Sequence, residues 1–353
     1  MTNFPLIKLP AVALHEVMKM MMPIEIFKLT MCSIQIESFL RQRKYKTEGL
    51  HMHLSNDDSQ IDIRHSDGLQ SIVFESTTRD LAGVPLSDRY TREDNKEIWL
   101  THVNLDEMFG IQRTLCAICS FPFVQWVLYI DELRYEQFFE LLHKVLKTEY
   151  TQLSLLGGWL SKSMLTEVLN NAPTTKNLEI DSDIPLDFDH PNAFKYCNIR
   201  FNDAQWVKLE SLFSIRNVDT VRLEGTNFDC SDLNKFLLYW VGCDEFMLRR
   251  LDIGLKNYTV YDEAVITDQL INISLPGDFY GYPTIFMKSK KKAGQRYVLG
   301  RLELRADFMV FSTCDPKEEY SEIFQTLMKK EMIKRKRELE EETAEIERKR
   351  LKI

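Results

Sequence analysis

The sequence predicts an α/β chain in three parts. These are a small helical domain over residues 1–46, a body of alternating strands and helices over 47–315, and a charged helical tail over 316–353. Three observations carry this division. An apolar helical period bounded by prolines fills residues 4–33. Short apolar strands then recur every 21 to 30 residues from Leu153-Ser-Leu155 to Leu251-Asp-Ile253. Finally, the segment from about Glu318 onward is highly charged and contains neither Pro nor Gly.

Leu9-Pro10 opens the first predicted helix, because proline suits the first helical position. Leu14, Val17, Met18, Met21 and Met22 follow at i, i+3, i+4, i+7 and i+8. Pro23 ends that run, since the residue before proline is pushed out of the α region. It also starts a second helix carrying Ile26, Phe27 and Leu29, and a third follows Ser33 with Ile36, Phe39 and Leu40. A basic run, Arg41 to Lys46, closes the unit. About 40 residues is near the lower limit for independent folding, so this unit is expected to lean on a partner or on the body behind it.

Leu50–Leu54, Ile61–Ile63 and Ser71–Glu75 alternate, with turn signals at Asn56-Asp57-Asp58 and Asp67-Gly68. They predict a β-meander or hairpins, followed by a polar loop over 77–97. Beyond it come the strands Val127–Ile130, Leu153–Leu155, Leu178–Ile180, Ile199–Phe201, Val221–Leu223 and Leu251–Ile253. Helical patterns lie between them: Leu160, Met164, Leu165, Val168 and Leu169; then Trp206, Leu209, Leu212 and Phe213; then Leu233, Phe236, Leu237, Trp240 and Val241. One strand and one helix per 20 to 30 residues is the arithmetic of a stacked repeat. Val218 to Phe228 fits L-x-x-L-x-L-x-x-N-x-L with Thr226 at the Asn position, and Leu248 to Ile253 fits its first half. The body is therefore read as leucine-rich-repeat-like, with a doubly wound α/β sheet as the rival. Residues 256–295 are irregular, and Tyr297–Leu304 with Phe308–Phe311 reads as a closing hairpin.

In the tail, Glu331/Arg335 and Glu345/Lys349 are favourable i, i+4 pairs. Met332, Leu339, Ile346 and Ile353 recur every seven residues, but Met328, Arg335, Glu342 and Lys349 fill the companion positions. Only half a coiled-coil seam exists, so a lone solvated helix is expected. Lys334-Arg-Lys-Arg337 has the composition of a nuclear address.

The net charge of −8 and pI near 5.5 argue against a nucleic-acid partner. Seven cysteines, mostly in apolar runs, fit buried free thiols in a reducing compartment. The N-terminus lacks a charged n-region followed by an apolar stretch, and no window approaches 18 uncharged apolar residues. The expected location is the cytoplasm, the nucleus or both, with no membrane partner. The sequons at Asn257 and Asn272 are read as chance matches.

The opening stretch resembles an F-box of the nematode type. Phe4-Pro5-Leu6, Leu9-Pro10, Pro23-Ile24-Glu25-Ile26-Phe27 and Cys32-Ser33 carry the likeness; Ile34-Gln35 and Met20-Met21-Met22 depart from it. The body looks like the associated (type 2) domain that accompanies such F-boxes, on Asn202-Asp203 to Leu212 and Asp232 to Trp240. The resemblance implies a substrate-receptor subunit of a Skp–cullin–F-box ubiquitin ligase. Its helices would dock on the Skp adaptor, and through it a cullin, using Pro5, Leu9, Pro10, Leu14, Val17, Met18, Pro23, Ile26 and Leu29. The body would hold a protein target. Such a chain does no bond chemistry and needs no cofactor or metal. The alternative is an interaction scaffold uncoupled from ubiquitination, in which the helical hairpin packs on the chain's own body.

Other motifs read as structural. Cys116-Ala-Ile-Cys119 lacks the second ligand pair that a zinc site needs. His51 and His53 share one strand face, with no third ligand evident. The loop with Asp181, Asp183, Asp187, Asp189 and His190 is interrupted by Pro185 and does not fit a calcium loop. Trp159, Trp206 and Trp240 are expected in the core, and Leu156-Gly-Gly158 as a turn. No nucleophile elbow and no H-E-x-x-H occurs, so enzyme activity is not expected.

Overall fold

In the computed structural model, the described residues are 8–55, 58–66, 68–76, 90–93, 96–101, 105–255, 261–276, 282–289, 299–306, 308–315 and 320–350. Pro5, most of the predicted 77–97 loop, the Asn257 sequon and Ile353 lie outside them. The chain is a mixed α/β protein in two compact units, Met1–Leu160 and Ser161–Ile353. The three N-terminal helices belong to the first unit rather than forming a unit of their own. Among the described residues, no helix is long and apolar enough to cross a membrane.

The first unit begins with α1 (Ala11–Lys19), α2 (Pro23–Cys32) and α3 (Ile34–Arg43). Met22, before Pro23, is extended at ψ 149. Helix α1 stops earlier than the apolar period suggests, because Met20 and Met21 close it with bonds to Val17 and Met18. Pro23 takes the first position of α2, and Glu25 accepts from Met22 N at 2.9 Å. Ser33 caps α3 by accepting from Ile36 N.

Then follow β1 (Tyr45–Lys46), β2 (Gly49–Leu54), β3 (Asp58–His65), β4 (Gly68–Ser76), β5 (Tyr90–Glu93) and β6 (Lys96–Thr101). The meander β2–β3–β4 is antiparallel as predicted. The predicted loop is not wholly a loop: β5 pairs with β6, and β6 lies parallel to β4. The unit continues with α4 (Leu105–Ile118), β7 (Cys119–Ser120), β8 (Val124–Tyr129), α5 (Tyr135–Val145) and β9 (Gln152–Trp159). Its main sheet runs β5-β6-β4-β3-β2-β8-β9. Strands β2, β8 and β9 are parallel, with α5 as the crossover between β8 and β9. Helix α5 buries Phe138, Leu141, Leu142 and Val145, one helical face.

Leu156-Gly-Gly158 is not a turn. It ends β9 with both glycines at positive φ, 69° and 60°. A Cβ on Gly158 would stand 2.8 Å from Asp131 N, so the close approach of residues 130–132 requires glycine.

The second unit holds α6 (Lys162–Asn171), β10 (Asn177–Asp183), β11 (Asn198–Phe201), α7 (Leu209–Phe213), β12 (Val218–Thr226), α8 (Cys230–Gly242), β13 (Leu248–Leu255), α9 (Glu263–Ile266), β14 (Asn272–Leu275), β15 (Thr284–Lys288), β16 (Leu299–Leu304), β17 (Met309–Cys314) and α10 (Ser321–Arg350). Its strand order is β10-β11-β12-β13-β17-β16-β15-β14. Strands β10 to β13 are parallel and lie side by side in chain order. This order lacks the reversal at a switch point that a doubly wound sheet has. The described parts of β16 and β17 form the predicted closing hairpin, with β13 antiparallel to β17.

One face of this sheet is the core. Leu178, Ile180, Ile199, Phe201, Val221, Leu223, Leu251 and Ile253 are all buried. Helix α8 covers the far end with Leu233, Phe236, Leu237 and Trp240, and Trp240 meets Phe311 edge-on at 4.8 Å. Thr226, at the Asn position of the repeat pattern, is buried and donates to Gly254 O at 3.1 Å. Trp206 and Trp240 are core residues as expected, but Trp159 is 57% exposed at the end of β9. It follows two glycines rather than an apolar run.

Candidate functional site

The helical stretch was expected to present an apolar stripe, and the structure divides that stripe in two. Leu14, Met18, Pro23 and Ile26 are buried inside the first unit. There they hold α1–α3 together and against the body. Ile24 N donates to Gln70 Oε1 at 3.2 Å, Tyr45 Oη donates to Met21 O at 3.1 Å, and α2 and α3 both pack on α4. Leu9, Val17 and Leu29 are half-buried and Pro10 is exposed. The same helices carry exposed apolar side chains that the stripe did not single out: Val12, Met20 and Ile34 are 71%, 82% and 83% exposed, and Met31 is exposed too. Leaving apolar surface in water is unfavourable by about 25 cal/mol per Å² relative to burying it.

The second surface is the open face of the second unit's sheet. In each parallel strand the residue between two buried apolar side chains points to the opposite face. Registers place Glu179, Arg200, Arg222 and Asp252 in one row across β10 to β13, which continues through Val310 to Glu303. Arg250 and Arg301 face the same side one pleat away. Glu179 pairs with Arg200 at 3.2 Å. Glu224 accepts from both Arg200 and Arg222 at 2.9 Å, and Asp252 from Arg250 at 2.8 Å. Glu303 is held by Arg301 and by Arg305, the latter at 2.6 Å. The Arg222 guanidinium lies over the Phe308 ring, 4.8 Å from its centroid. Helix α10 bounds this face: its Leu327, with Ile323 and Phe324, packs on Phe286 and Leu299, and Lys288 pairs with Glu331 at 2.7 Å.

His51 and His53, on one face of β2, have polar neighbours. His51 Nδ1 is 2.8 Å from Gln125 Oε1, an acceptor, so Nδ1 carries the proton. His51 Nε2 is buried with no hydrogen-bond partner among the described residues. Burial holds its pKa below the ordinary histidine value. His53 lies between Tyr129 Oη at 3.2 Å and Asp62 Oδ2 at 3.4 Å. Burial pushes the Asp62 carboxyl up, but hydrogen bonds from His53, Ser71 and Gln60 outweigh it and hold it below its ordinary value.

The remaining motifs are as follows. Burial pushes the Cys116 and Cys119 thiols up to about 11 and about 12, so both stay protonated and poor at metal or redox work. None of the seven cysteines is in a disulfide; Cys119 and Cys243 are buried, but Cys32 is exposed. Asp181, Asp183, Asp187 and Asp189 are exposed, with Asp187 paired to Lys162. Among the described residues, no group of three or more His, Cys, Asp or Glu is arranged to hold a metal ion. A hollow of about 490 Å³ at the ends of β12 and β13 has Asp229 and Cys230 on its wall. Asp229 already caps α8 by accepting from Asp232 N at 2.9 Å.

Compared with known proteins, the chain is similar to the Skn-1 dependent zygotic transcript 15 protein of Caenorhabditis elegans. The two are 23% identical over 282 residues, covering 72% of this chain and 80% of that protein. No protein-family model matches the chain, and no solved structure matches it significantly.

Proposed function

We propose that this chain is the substrate-receptor subunit of a Skp–cullin–F-box ubiquitin ligase, working in the cytoplasm or nucleus. The observation that carries this is the exposed apolar set Val12, Met20, Met31 and Ile34, together with Pro10, on the helices whose Leu-Pro and Pro-Ile-Glu motifs resemble an F-box. An adaptor groove that covers these side chains removes their cost in water. The similarity to a nematode protein agrees with the nematode type of that resemblance. The division of labour follows. The first unit's helices hold the adaptor, and the second unit's open sheet face holds the target. The chain makes and breaks no bonds. It raises the local concentration of target beside the ligase's catalytic partners.

The adaptor residues in this reading are the accessible members of the predicted stripe, Leu9, Pro10, Val17 and Leu29, joined by the four exposed side chains. Leu14, Met18, Pro23 and Ile26 act beneath them by fixing the helices. Co-purification of the full chain with a Skp-family adaptor tests the proposal. The intact chain should be captured, and Leu9→Ala/Pro10→Ala or Met20→Glu/Ile34→Glu should abolish capture while the fold is retained.

A second reading is favoured by a separate observation. The helices are packed on α4 and tied to Gln70, as they would be in a scaffold that never meets an adaptor. Failure of the intact chain to bind any Skp-family adaptor selects this reading.

A further inference from the structure

We infer that the open sheet face of the second unit binds an acidic segment of a protein partner, with Arg222, Arg250 and Arg301 as its contact residues. The inference deepens the target-binding half of the function proposed above and does not depend on the adaptor half.

The argument rests on which charges are sunk and which stand out. Side chains of Arg200, Arg222, Arg250, Arg301 and Arg305 are 33–48% exposed. Their carboxylates, Glu179, Glu224, Asp252 and Glu303, are only 9–27% exposed. The acids therefore lie beneath a layer of guanidiniums. Over β11 to β13 and β16 this face presents cations although the chain's net charge is −8, while at the β10 end Asp181 and Asp183 are exposed on the same side.

A guanidinium has five N–H donors in a rigid fork suited to carboxylates. Among the described residues, the contacts seen for Arg222 are Nε with Glu224 and its stack on Phe308. Arg250 uses Nε and Nη2 on Asp252, leaving Nη1. The stack and the buried carboxylates hold these groups in place before a ligand arrives, which lowers the entropy lost on binding. From Arg222 on β12 to Arg301 on β16 is three strand spacings, about 14 Å. Roughly four extended residues cover that distance. Helix α10 closes the β14–β15 side, so the exposed arginines mark the middle of the face. A nucleic acid fits less well. Its phosphate run gains affinity from many successive cationic contacts, whereas the exposed arginines here span only about 14 Å.

The test uses the full-length chain and a fluorescein-labelled dodeca-glutamate peptide, read by anisotropy at low and moderate salt. A lysine dodecapeptide and a single-stranded oligo-uridylate of equal length serve as comparisons. The expected result is saturable binding of the glutamate peptide alone, weakened at least tenfold in Arg222→Gln/Arg250→Gln/Arg301→Gln with its circular dichroism unchanged. Arg250→Gln alone, expected to weaken binding severalfold, stands in if the triple variant does not fold. No saturable binding, unchanged binding by the variants, or tighter binding of the oligo-uridylate overturns the inference. Adaptor capture measured on the same samples separates the two claims. Peptide binding without adaptor binding leaves this inference standing and removes the ligase reading; the reverse result does the opposite.

Discussion

His51 is neutral in the fold because its Nδ1 proton faces Gln125 and its buried Nε2 meets no acceptor. Charging it places a second N–H in that dry position, so the folded pKa lies below about 6.5, the value of a free imidazole. The unfolded chain then takes up the proton first as pH falls. Stability contributed by the neutral ring is present above about pH 6.5 and is lost as pH falls toward the folded pKa. The urea midpoint of the first unit should drop between pH 7.5 and 5.5, and His51→Gln should flatten that drop. An imidazole resonance of His51 titrating at or above 6.5 contradicts this. Gly300 gives a steric counterpart in the second unit. A Cβ there would lie 2.8 Å from Phe311 and 2.9 Å from Trp240, both in the packed core. Gly300→Val should cost about 1–3 kcal/mol or more in denaturant unfolding. At this scale the sequence was partly legible. The charged residue between two apolar ones, as in Ile199-Arg-Phe201 and Val221-Arg-Leu223, was plain to see. That Arg200, Arg222, Asp252 and Glu303 fall in one row depends on strand register, which no local pattern encodes.

Elements were read best where a single period governed them. The three N-terminal helices, the meander β2–β4 and the strands β10 to β13 came directly from alternation, proline placement and spacing. Short strands did not: β5 lies, and β6 begins, where composition argued for a loop over 77–97, and they are held by pairing of β5 with β6 and of β6 with β4. Helix α10 shows an element with two fates. Residues 321–331 dock through Leu327, which is fully buried, and through the Lys288–Glu331 pair. Beyond them Met332, Leu339 and Ile346, the members of the half seam, are all exposed. Leu327→Ala should therefore lower stability by about 2–5 kcal/mol. Deleting residues 332–353 should remove helical circular dichroism while leaving the unfolding midpoint within about 0.5 kcal/mol of the parent. A large loss on deletion would mean that the distal helix has a partner within the protein.

At the scale of the molecule, two compact units carry two different surfaces, one with exposed apolar side chains on α1–α3 and one arginine-faced on β11–β13 and β16. The apolar period at the N-terminus was visible in sequence. Which of its members face water was not, because burial against α4 depends on how a distant segment folds back. That division bears on the adaptor half of the proposal. If the buried residues alone formed the stripe, the hairpin would be a cap on its own body. The exposed Val12, Met20, Met31 and Ile34 leave a second layer for a partner. The most direct measurement is titration calorimetry of the full-length chain with a purified Skp-family adaptor, beside Met20→Glu/Ile34→Glu and the triple arginine variant. The account predicts one-to-one binding by the parent and the arginine variant, with at least tenfold loss in Met20→Glu/Ile34→Glu. Absence of binding by the parent, or equal binding by Met20→Glu/Ile34→Glu, contradicts it.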